Sequence, residues 1–196
     1  MISPTELCGK EARKGRATGP VRAQTPMCEE HAAVTYNHNA RIYRTELLES
    51  MNAAGLDTNL PGWAYIIWLP NGRIKIGWSG GDDLLVYRWK MISKDWRRKG
   101  YADPVRPIAI LPGGAGKEGE LHERFHEFRV ETEYGEQFRT EPELIAYAEM
   151  YGIPEDKAHL VTRFEEQWAK GEVSRKVRLE KKQTPMKVDP WDTSKW

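Results

Sequence analysis

The chain is poor in cysteine and has no long apolar run. Cys8 and Cys28 are its only two cysteines in 196 residues, too few for a disulfide framework and suited to a reducing compartment. No stretch approaches the ~18 consecutive apolar residues of a transmembrane helix. The opening MISPTELCGK lacks the apolar centre of a signal peptide. A soluble, cytoplasmic protein without membrane contact is therefore expected. Net charge is +1, so no overall excess of one sign marks a polyanionic partner. Internal repeats are also lacking. The charge that is present lies unevenly: residues 84–106 carry seven Lys or Arg against two Asp, and residues 170–196 carry eight against four acids. Segregation of this kind permits a nucleic-acid partner.

The length allows one domain of ordinary size with appendages. Residues 1–33 read as a flexible or zinc-knuckle-like segment, 34–56 as a helix and linker, and 60–152 as the compact domain. Residues 153–183 read as a charged helix with Leu160, Phe164 and Trp168 at i, i+4 and i+8, and 184–196 as a flexible tail. Within the compact part the pattern predicts a hairpin (63–69 and 73–78), a helix (82–98), a strand (106–111) and helices over 116–129 and 141–150. The stretch LPGGAG, residues 111–116, is a turn and not a P-loop, because the Gly-Lys-Ser/Thr ending is missing.

The hairpin GWAYIIWLPNGRIKIGWS, residues 62–79, poses a question of register. A two-residue Asn71-Gly72 turn would send Tyr65 and Lys75 to opposite faces. A three-residue loop, with Pro70 and Asn71 in a type I turn and Gly72 left-handed, places both on one face with Gly77. Proline and glycine suit those positions, so the second register is expected. Ile66, Trp68, Ile74, Ile76 and Trp78 then fill the other face. In helix 82–98, Leu85, Trp89, Ile92 and Trp96 form one apolar stripe, with Arg88 about 60° to one side. Lys90, Lys94, Arg97 and Arg98 lie on its far side. In helix 116–129, Leu121, Phe125 and Phe128 make the stripe, and Glu118 and His122 stand one turn apart on its border.

Ala64-Tyr65-Ile66, Lys75-Ile76-Gly77, and the later Glu118-x-x-Leu121-His122-x-x-Phe125 followed by Gly135-Glu136 and Phe138 stand in a fixed order. This series resembles the GIY-YIG nuclease superfamily, especially its short single-domain members from bacteria and phages with Lys-Ile-Gly as the second signature. The resemblance covers roughly residues 62–150. It implies an α+β fold: a small three-stranded antiparallel sheet packed with helices and flanked by a helix on each side. It also implies a divalent-metal-dependent endonuclease acting on DNA, with RNA left open, in a bacterial cell or phage-infected host. Glu118 would bind one Mg²⁺ or Mn²⁺ ion, and Arg88 would clamp a phosphate oxygen. Tyr65 would orient or deprotonate water, and Lys75 would stabilise charge or help Tyr65 ionise. His122 would support them. Lys90, Lys94, Arg97 and Arg98 would track the nucleic-acid backbone. Three positions depart from the pattern: Arg88 comes eleven residues after Gly77, Ile92 stands where a tyrosine or histidine is usual, and Gln137 replaces an aromatic.

Each residue also has a plain reading. Tyr65 alone is an interfacial tyrosine, Lys75 an edge-strand solubiliser, and Arg88 half of an ion pair. Glu118 alone is a first-turn glutamate favoured by the helix dipole, and His122 a cap or a neighbour of Phe125. Glu136 reads as structural, and Trp89 and Trp96 read as core. Near the N-terminus, Cys8, Cys28 and His31 resemble a zinc knuckle, but structural zinc takes four ligands. A degenerate knuckle without Zn²⁺ is the stronger expectation, with His38 the remaining candidate for a fourth ligand. The alternative to an enzyme is a catalytically inactive nucleic-acid-binding or partner-docking module of the same fold. No protein partner can be read from the sequence.

Overall fold

The computed structural model describes residues 28–54, 61–132 and 136–183. Cys8, most of the knuckle-like segment and the tail 184–196 lie outside the described residues. Helix α1 runs Glu29–Ala53, then strands β1 (Trp63–Trp68) and β2 (Ile74–Ser79), helix α2 (Asp82–Arg98), strand β3 (Arg106–Pro112) and helix α3 (Gly114–Arg124). Strand β4 (Gln137–Phe138) and helices α4 (Pro142–Tyr151) and α5 (Ala158–Gln183) follow. Among the described residues no helix is long and apolar enough to cross a membrane.

The hairpin adopts the three-residue loop. Leu69 and Arg73 close it by backbone hydrogen bonding, Gly72 has φ 80°, and the register pairs Tyr65 with Gly77 and Ile67 with Lys75. A positive φ of this size suits glycine because it lacks Cβ. The α+β class holds, but the sheet has four antiparallel strands in the order β3-β1-β2-β4, not three. The fourth strand is only two residues long and pairs with Ile74 and Lys75. It therefore covers one end of β2 and leaves residues 76–79 without a neighbour on that side among the described strands. Prolines at 107 and 112 sit in β3, an edge strand, where a missing N–H is tolerated.

Side chains alternate across the sheet and give two apolar layers. On one face Ala64, Ile66, Ile74 and Ile76 pack against Leu121 and Phe125 of α3 and Leu144 and Ala148 of α4. On the other, Tyr65, Ile67 and Ile110 pack against Leu85 and Trp89 of α2 and Leu160 and Phe164 of α5. Trp78, expected to fill the first layer, is instead 40% exposed. Helix α3 begins two residues earlier than its stripe predicts. Gly113 and Gly114 both donate to the Gly62 carbonyl, with φ of 112° and 50°, so the glycine-rich turn anchors the helix start. It ends at Arg124, and a short 3-10 turn over His126–Phe128 completes the predicted span.

A polar clamp ties the helices of the second face together. Asp82, the first residue of α2, accepts hydrogen bonds from Trp63 Nε1 (2.6 Å) and Lys157 Nζ (3.1 Å). Burial pushes the Asp82 carboxyl up, but the hydrogen bonds from Lys157 and Trp63 outweigh it and hold it below its ordinary value. A depressed carboxylate stabilises the fold above its unfolded pKa and loses that contribution as pH falls through the folded one. The side chain is 39% exposed, so solvent screens the pair. Asp82→Asn is expected to lower stability by about 0.5–1 kcal/mol at pH 7. Below about pH 4 that difference should shrink, which thermal melts at the two pH values would read.

Candidate active site

Tyr65 stands in the middle of β1, opposite a residue with no side chain. A Cβ on Gly77 would lie 2.4 Å from Tyr65 Oη and 2.5 Å from Cζ, so the ring lies across the neighbouring strand. Trp89 meets it edge-on at 6.4 Å. Tyr65 is fully buried, and its hydroxyl makes no well-formed hydrogen bond among the described residues. Its polar partner is the Arg88 guanidinium, which acts on it by hydrogen bonding and by charge. Burial pushes the phenol up to about 12, the Arg88 guanidinium pulls against it, and the Glu118 and Glu136 carboxylates add to the rise. The phenol is thus held protonated at neutral pH, and the cation acting on it is Arg88. The Lys75 ammonium is turned elsewhere, with Nζ 3.7 Å from Glu136 Oε2.

Glu118 and His122 reach the same region from α3. Both are 6% exposed, with His122 Nε2 lying 3.8 Å from Glu118 Oε1 and 3.4 Å from the Ile76 carbonyl oxygen. The imidazole meets Phe138 edge-on at 5.1 Å, which fixes its plane. Arg88 itself is exposed on α2. Tyr65, Lys75, Arg88, Glu118 and His122 are therefore brought together around residues 75–77 of β2 from four different elements. The glycine at 77 makes the space for the Tyr65 ring, and β4 pairs with β2 only at Ile74 and Lys75.

Two residues of this cluster are not among the sequence candidates. Glu136, read as structural, is the only non-glycine residue with positive φ among the described residues (56°). That conformation costs on the order of 1 kcal/mol for a residue carrying Cβ. Its carboxylate lies between Lys75 and Arg129, with Arg129 Nη2 4.0 Å from Oε1. Arg129 is buried and also lies 3.7 Å from Glu131. Glu136 had a signal in the Gly-Glu-x-Phe series; Arg129 had none. Glu118, His122 and Glu136 each present a ligand atom within 4.8 Å of the others. The two carboxylates suit an oxygen-preferring cation such as Mg²⁺ or Mn²⁺, while the imidazole shifts the set towards Mn²⁺ and other first-row ions.

The departures from the family pattern have structural reasons. Ile92 is partly buried in the layer formed with Tyr65 and Trp89, so a core contact occupies that position. Gln137 is buried, and its Oε1 accepts from Asn71 Nδ2 at 2.8 Å, tying β4 to the hairpin turn.

The remaining candidates lie apart. Lys90 donates to Gln167 Oε1 (2.8 Å), and Arg97 pairs with Glu172 while stacking 3.9 Å over Trp168, so both face α5. Arg98 pairs with Asp95 on its own helix, and Lys94 is exposed. The basic side of α2 is thus divided between a seam with α5 at Lys90 and Arg97 and an exposed part at Lys94 and Arg98. Cys28 is buried with Sγ 3.3 Å from His31 Nδ1. His38, seven residues further along the same helix, stands about 10 Å beyond His31 by helical rise, too far to share a metal with it.

Compared with family models, curated proteins and solved structures, the chain matches none of them.

Proposed function

We propose that this protein is a divalent-cation-dependent endonuclease that hydrolyses DNA phosphodiester bonds. The observation that carries the reading is the buried Tyr65 hydroxyl, which meets the Arg88 guanidinium and lies under the influence of the Glu118 and Glu136 carboxylates. A core tyrosine kept only for packing has no need of that company.

The residues divide the work of phosphoryl transfer in a chemically consistent way. Arg88 is exposed and offers a planar set of donors to a non-bridging phosphate oxygen. Tyr65, whose phenol is neutral in the protein alone, orients the attacking water through its hydroxyl. Lys75 offsets negative charge in the transition state. Glu118 and His122 would hold Mg²⁺ or Mn²⁺, which when bound supplies positive charge at the reacting phosphate.

A second reading, an inactive nucleic-acid-binding or partner-docking module, draws support from Ile92 in the apolar layer and from the protonated phenol. Supercoiled plasmid incubated with the protein and Mg²⁺ or Mn²⁺ separates the two. The enzyme nicks it, and Tyr65→Phe slows the reaction by about 10²-fold with binding unchanged. Plasmid bound but intact with either cation supports the module, and a matched RNA tests the choice of substrate.

A further inference from the structure

Helix α2 carries a second stripe on the side away from the sheet. Leu84, Tyr87, Arg88, Met91, Lys94 and Arg98 fall within about 120° of arc, opposite the buried stripe through Trp89. Leu84 and Tyr87 are each 58% exposed, and Arg88, Lys94 and Arg98 are exposed with them. Asp95 shares the arc and pairs with Arg98, while Asp83 at its margin pairs with Arg163. Three cations against one carboxylate leave the arc positive. Its apolar members are not scattered singly, because Leu84 and Tyr87 stand one turn apart. Leu84 Cδ1 would lie 3.7 Å from a Cβ on Gly80, so it sits over the turn that leaves β2. Two residues before that glycine comes Trp78, the other exposed aromatic of this region. Each aromatic adjoins a residue of the site: Trp78 follows Gly77, and Tyr87 precedes Arg88. Trp78 pairs with Ala64 and so belongs to the α3 side of the sheet, whereas Tyr87 stands on the α2 side. The two rings bracket the site.

We infer that the outward face of α2, with Trp78 at the end of β2, binds an unpaired stretch of nucleic-acid strand beside the phosphate held at Arg88. This deepens the nuclease reading above and rests on it. Cations alone would serve a duplex, which offers phosphates and hides its base faces within the stack. Exposed rings among cations suit a strand that offers both, since every base has a face on which an aromatic can stack. Lys94 and Arg98 follow the backbone, Tyr87 and Trp78 each take a base, and Leu84 packs beside them. The substrate class is then DNA with locally separated strands.

The test is fluorescence anisotropy of two labelled DNAs with the full-length protein in EDTA, where no divalent cation supports cleavage. One DNA is a blunt duplex, and the other has the same length with a central unpaired bubble. The bubble should bind at least about tenfold tighter at equal salt. Tyr87→Ala and Trp78→Ala should each weaken bubble binding about fivefold or more and leave duplex binding unchanged. Tyr87→Phe keeps the ring and should keep the preference. All three should melt with the wild type, because the replaced side chains are exposed. Lys94→Ala should weaken both DNAs alike and reduce the salt dependence. Equal affinity for the two DNAs overturns the inference, and so does a preference that survives both alanine variants. Self-association of the chain that both variants abolish also overturns it, by assigning the rings to a protein contact. If the bubble is preferred through these residues yet stays uncut with Mg²⁺ or Mn²⁺, the surface stands and the nuclease reading falls alone. Cleavage without any preference has the opposite meaning.

Discussion

Glu118→Gln should abolish plasmid cleavage, lowering the rate by about 10³-fold or more while leaving the fold intact. The side chain is buried at the border of the α3 stripe, so glutamine fits without a cavity. What is lost is one negative charge at the point where the cation and the phosphate must meet. The same substitution should move the Tyr65 phenol. Glu118 is one of the two carboxylates that raise it, so the neutral variant should titrate below the wild-type value of about 12. Ultraviolet titration reads that shift without any substrate. Stability should hold or rise slightly, because like charges near Glu136 are relieved. Full cleavage by Glu118→Gln would remove the catalytic assignment of this cluster.

Gly77→Ala should be the most destabilising of the small substitutions. The added methyl would sit 2.4 Å from Tyr65 Oη, 2.5 Å from Cζ and 2.9 Å from Cε2, distances that real atoms do not tolerate. The ring has little room to yield, since Trp89 lies against it and Phe164 lies 5.7 Å beyond Trp89. Overpacking of this kind costs about 2–3 kcal/mol, read as a fall in Tm of roughly 10 °C. Activity should drop with it, because the hydroxyl is displaced. Tyr65→Ala alone opens a cavity and costs about 3 kcal/mol. The double variant should be more stable than the two losses added together by at least about 1 kcal/mol. Additive losses would mean that the ring does not lie across residue 77.

Local chemistry explains which parts of this architecture are legible from residues alone. The hairpin register follows from Pro70, Asn71 and Gly72, because three adjacent residues determine the turn. Helix α2 is bounded correctly because its stripe of four apolar residues repeats over about three turns. Strand β4 is invisible by the same reasoning. Two residues have no periodicity, and Gln137 and Phe138 are held by long-range pairing to Ile74 and Lys75. The five principal site candidates can be picked out because their order along the chain is distinctive. Glu136 is hinted at by the Gly-Glu-x-Phe series but its φ of 56° is not, and Arg129 leaves no mark because its burial arises only in the folded chain. Half of the basic side of α2 is hidden from such reading, because nothing local reveals that Lys90 and Arg97 will meet Gln167, Trp168 and Glu172 while Lys94 and Arg98 stay exposed.

The seating of Leu160 and Phe164 beside Trp89 bears on how this chain can be handled or borrowed. A fragment trimmed to the signature-bearing stretch would strip the roof from one layer of the sheet and bare Trp89, Leu85 and Ile67 to water. Any transplant of the sheet and its site into another protein must therefore carry the first three turns of the last helix with it. The portable piece is longer than its motifs advertise.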